Sequence, residues 1–550
     1  MTTLFDQNRP LLDQAVAALA NRGFWTPFPE VPSGKIYGET AREDGWNAYQ
    51  ARLGAAFDLP GHPESHRVGV EMSPFGPKLG ITYPAADVET LVGASESAGS
   101  AWATAAPEVR VGLLVEALKR LNAMSFEIGN AVMHTTGQAF AMAFQAGGPH
   151  AQDRGLEAVA TAWTEMRRAP AQAIWQKPQG KAAPLVIEKH WRIVPRGVAL
   201  VIGCQTFPTW NSYPGLFASL ATGNTVIVKP HPGAVLPLAL TVAVLRDLLA
   251  EEGFPRDVVL LAADSPEAPV TKALARHPAV RIIDYTGSNA FGDWVRGNAG
   301  DALVYTEEAG VNSIVIAATD DFAGMCANLA FSLSLYSGQM CTAPQDIFVP
   351  RGGIETDEGP KSFDAVAAGI ATAVDALLAD PARAAGVAGA IANPATLERI
   401  AAARALGRVV RDSASVGEGR TASPLILAVD AADAAAYGEE RFGPIAFVVA
   451  VDSPQDGVAR AAALAKEKGA ITAALYDTDE ARVLAAADAF ARAGVNLSVN
   501  LTGNIFVNQS AAFSDFHVTG LNPAGNASLT DGAFVAGRFV RAMWRRPVAA

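Results

Sequence analysis

The sequence predicts an α/β protein built on doubly wound parallel sheets. The first sign is the stretch from residue 197 to residue 285, in which short apolar runs alternate with helical patterns. Such alternation is typical of βαβ units. A second alternating set follows Asn312. The apolar runs are continuous, which indicates strands that are covered by other elements on both faces.

Composition narrows the class of protein. The chain has 550 residues, of which 50% are hydrophobic and 18% charged, so it is long enough for two or three domains. The formal net charge of −12 argues against nucleic acid and anionic membrane as partners. Three widely separated cysteines fit a reducing cytoplasm, and we expect a cytoplasmic protein. The N-terminus has no signal-peptide pattern, and no apolar run reaches the ~18 residues that span a bilayer.

The elements before residue 197 are less regular. Residues 1–80 are interpreted as an N-terminal extension with a helix at 11–20 and an irregular stretch at 23–76. Helical spacing predicts helices at 86–102, 109–127 and 155–168, with Asp87 and Pro107 as start signals. Residues 176–196 predict an extended hairpin, either at a subunit contact or on an ordinary surface.

Two α/β sets follow the hairpin. In the first, strands are predicted at 197–202, 225–228, 258–261 and 280–285, with helices at 235–252 and 266–276. In the second, strands are predicted at 313–317, 445–451 and 471–476, with helices at 322–336, 364–378 and 458–467. Ligands of such sheets bind at the carboxyl ends of the strands, and Lys229 stands at one of these ends.

Cys341 is the candidate nucleophile. It lies in the stretch Ser-Gly-Gln-Met-Cys at residues 337–341, just after an apolar helical run. A loop at a helix end can expose a sulfur and lower its pKa below the reference value of about 8.5. The alternative is a small core residue, which is how we interpret Cys326 inside the apolar run.

Six segments in order resemble the aldehyde dehydrogenase superfamily. They lie at residues 195–198, 223–230, 286–292, 305–312, 338–341 and 440–444. The resemblance implies a Rossmann-type cofactor domain, an α/β catalytic domain and an oligomerisation hairpin. The domains expected on this basis are the N-terminal extension (1–80), the cofactor-binding domain (81–175 and 196–309), the catalytic domain (310–510) and the oligomerisation elements (176–195 and 511–550).

The resemblance implies a set of cofactor-binding residues. Lys229 would contact the adenosine ribose, and the turn at Gly287 and Ser288 would offer backbone N–H groups to the pyrophosphate. Glu440 would hold the nicotinamide ribose, and Phe442 would pack near the nicotinamide. Each of these also has an ordinary alternative: Lys229 could be a surface lysine, the segment at Gly287 and Ser288 an ordinary turn, and Glu440 an exposed acid.

The cofactor could be NADP or NAD. NAD-selective members of the superfamily carry an acid near the position that Pro232 occupies. Its absence removes a repulsion against a 2′-phosphate, and His231 could add a hydrogen-bond donor. This favours NADP as a hypothesis.

The catalytic residues implied by the resemblance are Cys341, Glu307 and Thr206. Glu307 aligns with the general base, 34 residues before the cysteine, although the adjacent Glu308 departs from the pattern and a solvated acidic pair is the alternative. Counting back from Asn224 puts Thr206 where the oxyanion-stabilising Asn is usual. The later pair Trp210-Asn211 would need a shorter helix, so we interpret it as a coincidence; Cys204 is interpreted as structural.

The implied reaction is NAD(P)-dependent oxidation of an aldehyde to a carboxylic acid through a Cys341 thioester. The N-terminal extension and the segments 205–208 and 500–504 resemble the PaaN-type proteins of phenylacetate degradation, which implies a ring-opened semialdehyde, including a CoA thioester. The alternatives are a CoA-acylating dehydrogenase and a non-catalytic homologue that binds cofactor only. We expect no metal, and a homodimer or homotetramer.

Overall fold

The computed structural model describes residues 3–548. The N-terminal elements are α1 (Leu4–Asn21), α2 (Gly34–Tyr37), α3 (Ala41–Arg52), β1 (His66–Val68), β2 (Tyr83–Ala85), α4 (Val88–Thr104), α5 (Pro107–Ala123), α6 (Ser125–Thr136), α7 (Phe140–Gly147), α8 (Pro149–Met166), β3 (Gln172–Gln179) and β4 (Ala182–Pro195). The next elements are β5 (Val198–Ile202), α9 (Pro208–Ala221), β6 (Thr225–Lys229), α10 (Leu236–Glu251), β7 (Val259–Leu261), α11 (Thr271–Arg276), β8 (Val280–Gly287), α12 (Asn289–Asn298) and β9 (Leu303–Glu308).

The second half begins with β10 (Ser313–Ile316), β11 (Ala318–Thr319), α13 (Phe322–Ser334), β12 (Asp346–Pro350), β13 (Glu355–Thr356), α14 (Phe363–Leu378), α15 (Pro381–Ala388), α16 (Ala395–Ala403) and β14 (Arg408–Arg411). It ends with β15 (Leu425–Asp430), α17 (Ala434–Tyr437), β16 (Ile445–Val451), α18 (Pro454–Lys468), β17 (Thr472–Tyr476), α19 (Glu480–Ala493), β18 (Asn496–Val499), α20 (Gly532–Ala536) and β19 (Phe539–Pro547). Short 3₁₀ turns lie at Arg256–Val258, Leu335–Gly338 and Arg404–Leu406.

Two sheets confirm the predicted α/β architecture. The first has the order β7-β6-β5-β8-β9, and all of its strands are parallel. Every residue of β5 and β6 is buried, as their continuous apolar runs indicated. The second has the order β14-β15-β16-β12-β10-β17-β18, and only β14 runs antiparallel to its neighbour. The carboxyl ends of the first sheet carry Gly287 and Glu307 of the candidate site, whereas Cys341 and Asn312 lie in segments that precede strands β12 and β10 of the second sheet.

The N-terminal extension is more ordered than the sequence indicated. The predicted irregular stretch at 23–76 contains α2 and α3, so that expectation is wrong in part. Only Gly45 and Tyr49 of α3 are buried, which leaves the helix without a clear apolar repeat. Helix α1 packs into the main hydrophobic core through Leu12 and Ala15. The extension is therefore an integral layer of the fold.

The helical segment before the hairpin also differs in detail. The single helix predicted at 109–127 is two helices, α5 and α6, which meet at Met124. The start signals are confirmed: Asp87 accepts a hydrogen bond from the Thr90 N–H at 2.8 Å, and Pro107 is the first residue of α5.

The predicted hairpin is formed by β3 and β4, and β19 completes a three-stranded antiparallel sheet of order β19-β4-β3. The C-terminal segment was expected to pair between subunits, and here β19 pairs with β4 of its own chain. Ile174, Leu185 and Met543 are exposed on this sheet. Association through the sheet stays a prediction.

Among the described residues, no single helix is long and apolar enough to cross a membrane. Helices α14 and α15 reach that length and composition only as a pair, bent by 107° at the break between them.

Candidate active site

Cys341 follows a sharply turned loop after α13. Tyr336, Ser337 and Gly338 have φ values of 51°, 49° and 62°, three successive residues in the left-handed region. Buried hydrogen bonds hold this conformation: Tyr336 Oη donates to the Thr136 carbonyl at 2.5 Å, and Ser337 Oγ lies 2.8 Å from the Ala422 carbonyl oxygen. Such backbone strain persists only where the surroundings fix it.

The loop requires a glycine at position 338. Besides its positive φ, a Cβ at this position would lie 2.5 Å from the Gly443 carbonyl oxygen. The Cys341 loop therefore packs backbone to backbone against the segment 440–444, another of the six motif segments. Gln339 bridges further, because its Nε2 donates to the Ala390 carbonyl at 2.9 Å and its Oε1 accepts from the Ala392 N–H at 2.8 Å.

Asn312 fastens the same loop to the second sheet. Its Nδ2 donates to the carbonyls of Cys341 and Ala343 at 2.8 and 3.0 Å. Its Oδ1 accepts from the N–H groups of Ile471 and Thr472 at 2.9 and 3.0 Å. The sequence placed Asn312 in a motif segment but gave it no role. The amide satisfies four backbone groups and so fixes the position of the thiol.

The thiol meets a cluster of polar side chains. Cys341 Sγ donates to Glu307 Oε1 at 3.4 Å, and His517 Nε2 lies 2.9 Å from the same oxygen and 3.9 Å from Sγ. Asn211 Nδ2 donates to Glu307 Oε2 at 2.5 Å. Glu307 and His517 are almost fully buried. The ligand atoms of Glu307, Cys341 and His517 lie within 4.8 Å of one another, so they could also hold a metal ion.

The surroundings shift the pKa values of the two groups in opposite directions. Burial, and then the negative charge of Glu307, raise the pKa of Cys341 well above its ordinary value. Burial alone would also raise the pKa of Glu307, but His517 and the hydrogen bonds from Cys341 and Asn211 bring it below its ordinary value. The expectation of a lowered thiol pKa is therefore wrong, because the thiol is buried and the neighbouring charge is negative. Both shifts favour a proton on the thiol and a negative charge on Glu307.

His517 was missed by the sequence analysis. It lies 210 residues after Glu307 and belongs to no motif. The Trp210 ring packs edge-on against it at 4.6 Å, and the Arg154 guanidinium lies over the Trp210 ring at 5.0 Å. Within residues 3–548, no atom bonds to its buried Nδ1. The packing holds the imidazole against Glu307.

The interpretation of Trp210-Asn211 as a coincidence is wrong. The count back from Asn224 assumed a longer helix, whereas α9 spans Pro208–Ala221 and carries Asn211 in its first turn. Thr206 Oγ1 lies 3.8 Å from Cys204 Sγ, and the Thr206 carbonyl accepts from Gln138 at 2.7 Å. Of the two, only Asn211 has a hydrogen bond to the Cys341–Glu307–His517 cluster. Burial raises the pKa of Cys204 to about 11, as suits a structural thiol.

Glu307 and Glu308 are not a solvated pair. They end β9, where successive side chains point to opposite faces. Glu307 faces Cys341, whereas Glu308 is 2% exposed and forms an ion pair with Arg296 of α12. The departure from the family pattern at Glu308 therefore serves the packing of α12 and leaves Glu307 free for the site.

The predicted ribose contact, Lys229, is paired inside the protein. Its side chain is 3% exposed and its Nζ lies 2.7 Å from Asp264 Oδ1, just beyond β7. Burial lowers the pKa of Lys229, and Asp264 opposes that shift. His231 is exposed, and its Nδ1 accepts from the Gly233 N–H at 3.1 Å. The sequence analysis missed Asp264 because it follows a different strand.

The other predicted cofactor residues lie in matching surroundings. Gly287 ends β8, and Ser288 precedes α12 with no side-chain cap, so the first-turn N–H groups suit a phosphate. Tyr285 Oη fixes the turn by donating to the Ser288 carbonyl at 2.9 Å. Burial raises the pKa of Glu440 to about 7, and the Phe442 carbonyl accepts from Arg399. The turn at Gly287 and Ser288 thus suits a phosphate, and the roles of Glu440 and Phe442 stay predictions.

A cavity of about 410 Å³ leads to Cys341. It is lined by Phe24, Trp25, Thr26, Glu30, Met142, Gln145, Ala146, His150, Asp153, Phe207, Trp210, Asn211, Phe331, Leu335, Met340, Cys341, Thr342, Asn504, Asn508, Gln509, Ser510, Ala511, Ala512 and His517. Four of these residues come from the N-terminal extension.

Comparison with known proteins agrees with this fold. Residues 81–525 match the aldehyde dehydrogenase family, and the chain belongs to that family. A solved NAD-dependent aldehyde dehydrogenase from Burkholderia multivorans is 53% identical, with a TM-score of 0.98 over 100% of both chains. The 1-pyrroline-5-carboxylate dehydrogenase of Thermus thermophilus shares the fold at 20% identity, with a TM-score of 0.77 over 96% of this chain and 99% of that one.

Curated relatives match over a shorter stretch. The N-succinylglutamate 5-semialdehyde dehydrogenase of Burkholderia thailandensis is 30% identical over 279 residues, which are 48% of this chain and 54% of the relative. The chain thus spans about half the length of the curated relatives that it matches. The predicted α/β aldehyde dehydrogenase fold is confirmed.

Proposed function

We propose that the protein oxidises an aldehyde to a carboxylic acid with a nicotinamide cofactor, using Cys341 as nucleophile and Glu307 as general base. One observation carries this proposal: the Cys341 thiol donates to the buried carboxylate of Glu307 at 3.4 Å. A nucleophile within hydrogen-bond reach of a base is the arrangement that covalent catalysis requires.

The first step is proton transfer within this pair. Glu307 takes the thiol proton, and the Cys341 sulfur attacks the carbonyl carbon of the aldehyde. The carbonyl oxygen becomes the oxyanion of a thiohemiacetal, which the Cys341 N–H and the second N–H of the Asn211 amide would stabilise; Asn211 lines the cavity and donates its other N–H to Glu307. Thr206 stays the alternative donor, although it lies beside Cys204.

The second step forms and then hydrolyses a thioester. A bound nicotinamide would supply hydride acceptance for the oxidation of the thiohemiacetal to the thioester. Glu440 and Phe442 would hold and pack the nicotinamide end. Once Glu307 has released the thiol proton to solvent, it takes a proton from the water that attacks the thioester carbon, and Cys341 leaves as thiolate. His517, 2.9 Å from Glu307 Oε1, holds the carboxylate in place for both proton transfers.

The contact between Glu307 and the thiol favours water over CoA as the acyl acceptor, since this base serves hydrolysis. The same contact argues against a non-catalytic homologue. An assay of aldehyde oxidation with and without CoA distinguishes water from CoA as the acyl acceptor. The variant Cys341→Ser tests whether the protein is a non-catalytic homologue. We expect a free acid as product in both assays and no oxidation by the variant. A CoA thioester as product, or an active Cys341→Ser enzyme, would refute the proposal.

Some observations favour NADP as the cofactor and others favour NAD. Pro232 and His231 favour NADP, as the sequence suggested. Asp264, 2.7 Å from Lys229, balances the lysine charge and adds an acid that a 2′-phosphate would meet. The similar Burkholderia multivorans enzyme is named NAD-dependent. We therefore propose NAD as the main cofactor, with NADP as the alternative, and the ratio of kcat/KM values for the two decides between them.

The finer assignments follow from resemblance and fold. The resemblance to PaaN-type proteins supports a ring-opened semialdehyde of phenylacetate degradation as substrate, and a cavity lining without Lys or Arg among the described residues favours one that carries a thioester rather than a free carboxylate. The hairpin sheet, with exposed Ile174, Leu185 and Met543, suits a homodimer or homotetramer in the cytoplasm. Light scattering tests the association, and a monomer at working concentration would contradict it.

A further inference from the structure

The N-terminal extension forms part of the wall of the cavity that leads to Cys341. Phe24, Trp25, Thr26 and Glu30 line the cavity, although they lie outside the residues 81–525 that match the family. The Trp25 ring packs edge-on against Phe513 at 4.8 Å, which ties the extension to the segment that carries His517. Part of the cavity wall is therefore supplied by residues that the family pattern does not fix.

The lining divides into an apolar part and a polar part. Aromatic and thioether side chains form the first: Phe24, Trp25, Met142, Phe207, Trp210, Phe331 and Met340. Such side chains favour an apolar substrate body through burial of its surface.

The polar part of the lining contains two acids, Asp153 and Glu30. Asp153 is 6% exposed, and its Oδ1 has no hydrogen-bond partner among the described residues. Glu30 is half-exposed and pairs with His150 at 2.8 Å. None of the described lining residues is Lys or Arg. The adjacent Arg154 is fully buried and pairs with Glu157 at 2.9 Å, and it donates to Ser510 Oγ at 2.7 Å.

The pKa of Asp153 indicates that this region disfavours negative charge. Burial raises the pKa of Asp153 well above its ordinary value, and the charges of Glu157 and Glu30 add to the shift, while Thr26 and Arg154 oppose it. A substrate carboxylate placed here would meet the same desolvation and the same acids. A neutral hydroxyl, amide or carbonyl would find in Asp153 a hydrogen-bond partner at no such cost.

We propose that the segment 24–30 and Asp153 select aldehydes with an apolar body and a neutral hydrogen-bonding group, and that they discriminate against aldehydes that carry a free carboxylate. This inference rests on the proposed aldehyde oxidation. It separates the protein from the curated relatives, whose names specify a semialdehyde of N-succinylglutamate.

Three aldehydes of equal chain length test the selection: hexanal, 6-hydroxyhexanal and 6-oxohexanoate. We expect kcat/KM for 6-oxohexanoate to be at least about tenfold below that for hexanal, a difference of ~1.4 kcal/mol. We expect 6-hydroxyhexanal to equal or exceed hexanal. Equal or better use of 6-oxohexanoate by the wild-type enzyme would overturn the inference.

A charge reversal at the half-exposed Glu30 supplies the matched test. Glu30→Lys should raise the ratio of kcat/KM for 6-oxohexanoate to kcat/KM for hexanal at least about fivefold. The control is Glu39→Lys, which makes the same charge change at an exposed site outside the cavity lining. A Glu30→Lys effect no larger than the control would also overturn the inference. If no aldehyde is oxidised in a Cys341-dependent way, the proposed function itself has failed.

Discussion

The two sides of the cavity are built in different ways. One side is the chemical side, where the loop after α13 brings Cys341 against Glu307 at the end of β9. The other is the wall formed by residues 24–30, the start of α8 and residues 504–512. Cys341 and Glu307 come from two of the six motif segments, whereas the wall comes from segments outside those six. Chemistry is thus fixed by the fold, and selectivity is added around it.

The contacts on the two sides differ in kind. Asn312, Ser337 and Gln339 hold the chemical side through buried hydrogen bonds to the backbone. The wall uses ring packing and the half-exposed pair Glu30–His150, which is worth little on its own. We therefore expect changes on the chemical side to lower kcat, and changes in the wall to alter KM.

The largest effect is expected for Gly338→Ala. The added Cβ would lie 2.5 Å from the Gly443 carbonyl oxygen, and a φ of +62° is unfavourable for alanine. The loop must therefore shift, and the thiol moves with it. A displacement of about 1 Å costs roughly 100-fold in rate. The control is Gly352→Ala, where a Cβ meets nothing within 4 Å. Steady-state kinetics of the two variants make the comparison, and equal activity would show that the loop tolerates movement.

A smaller effect is expected for His517→Gln. Because His517 lowers the pKa of Glu307, its loss lets burial raise that pKa. Activity requires the ionised base and is lost as pH falls through its pKa, so the acid limb of the kcat/KM profile should move to higher pH. At neutral pH we expect a fall of about tenfold. His66→Gln, at an exposed position, is the control. An unmoved acid limb would show that His517 only fills space.

The smallest of these effects is expected in the wall. Trp25→Ala removes the ring that packs on Phe513 and opens the cavity. The KM for hexanal should rise about fivefold, since the loss of about 1 kcal/mol of apolar contact has that effect. The KM for the cofactor and kcat should change little. Trp46→Ala, at a tryptophan outside the cavity lining, is the control. A fall in kcat instead of a rise in KM would erase the distinction between the two sides.

The same division explains what the sequence could predict. Continuous apolar runs predicted both sheets, because buried parallel strands leave that pattern. The roles of Glu307 and Cys341 were expected from the resemblance to the aldehyde dehydrogenase superfamily, because both residues lie in local motif segments that can be recognised in the sequence. His517 lies 210 residues from Glu307 in an irregular segment, so no local pattern marks it. Asn211 was rejected because its position depends on the length of α9, which a count of residues cannot supply.

The central claim is that Cys341 forms a covalent thioester that Glu307 helps to hydrolyse. Glu307→Gln removes the base for hydrolysis. It also removes the negative charge that, together with burial, raises the pKa of Cys341, so at pH 9 acylation should be faster than deacylation. We therefore expect mass spectrometry, after reaction with hexanal and NAD, to find one hexanoyl group on the peptide that contains Cys341. Cofactor reduction without such an adduct, or an adduct on Cys204, would contradict the account.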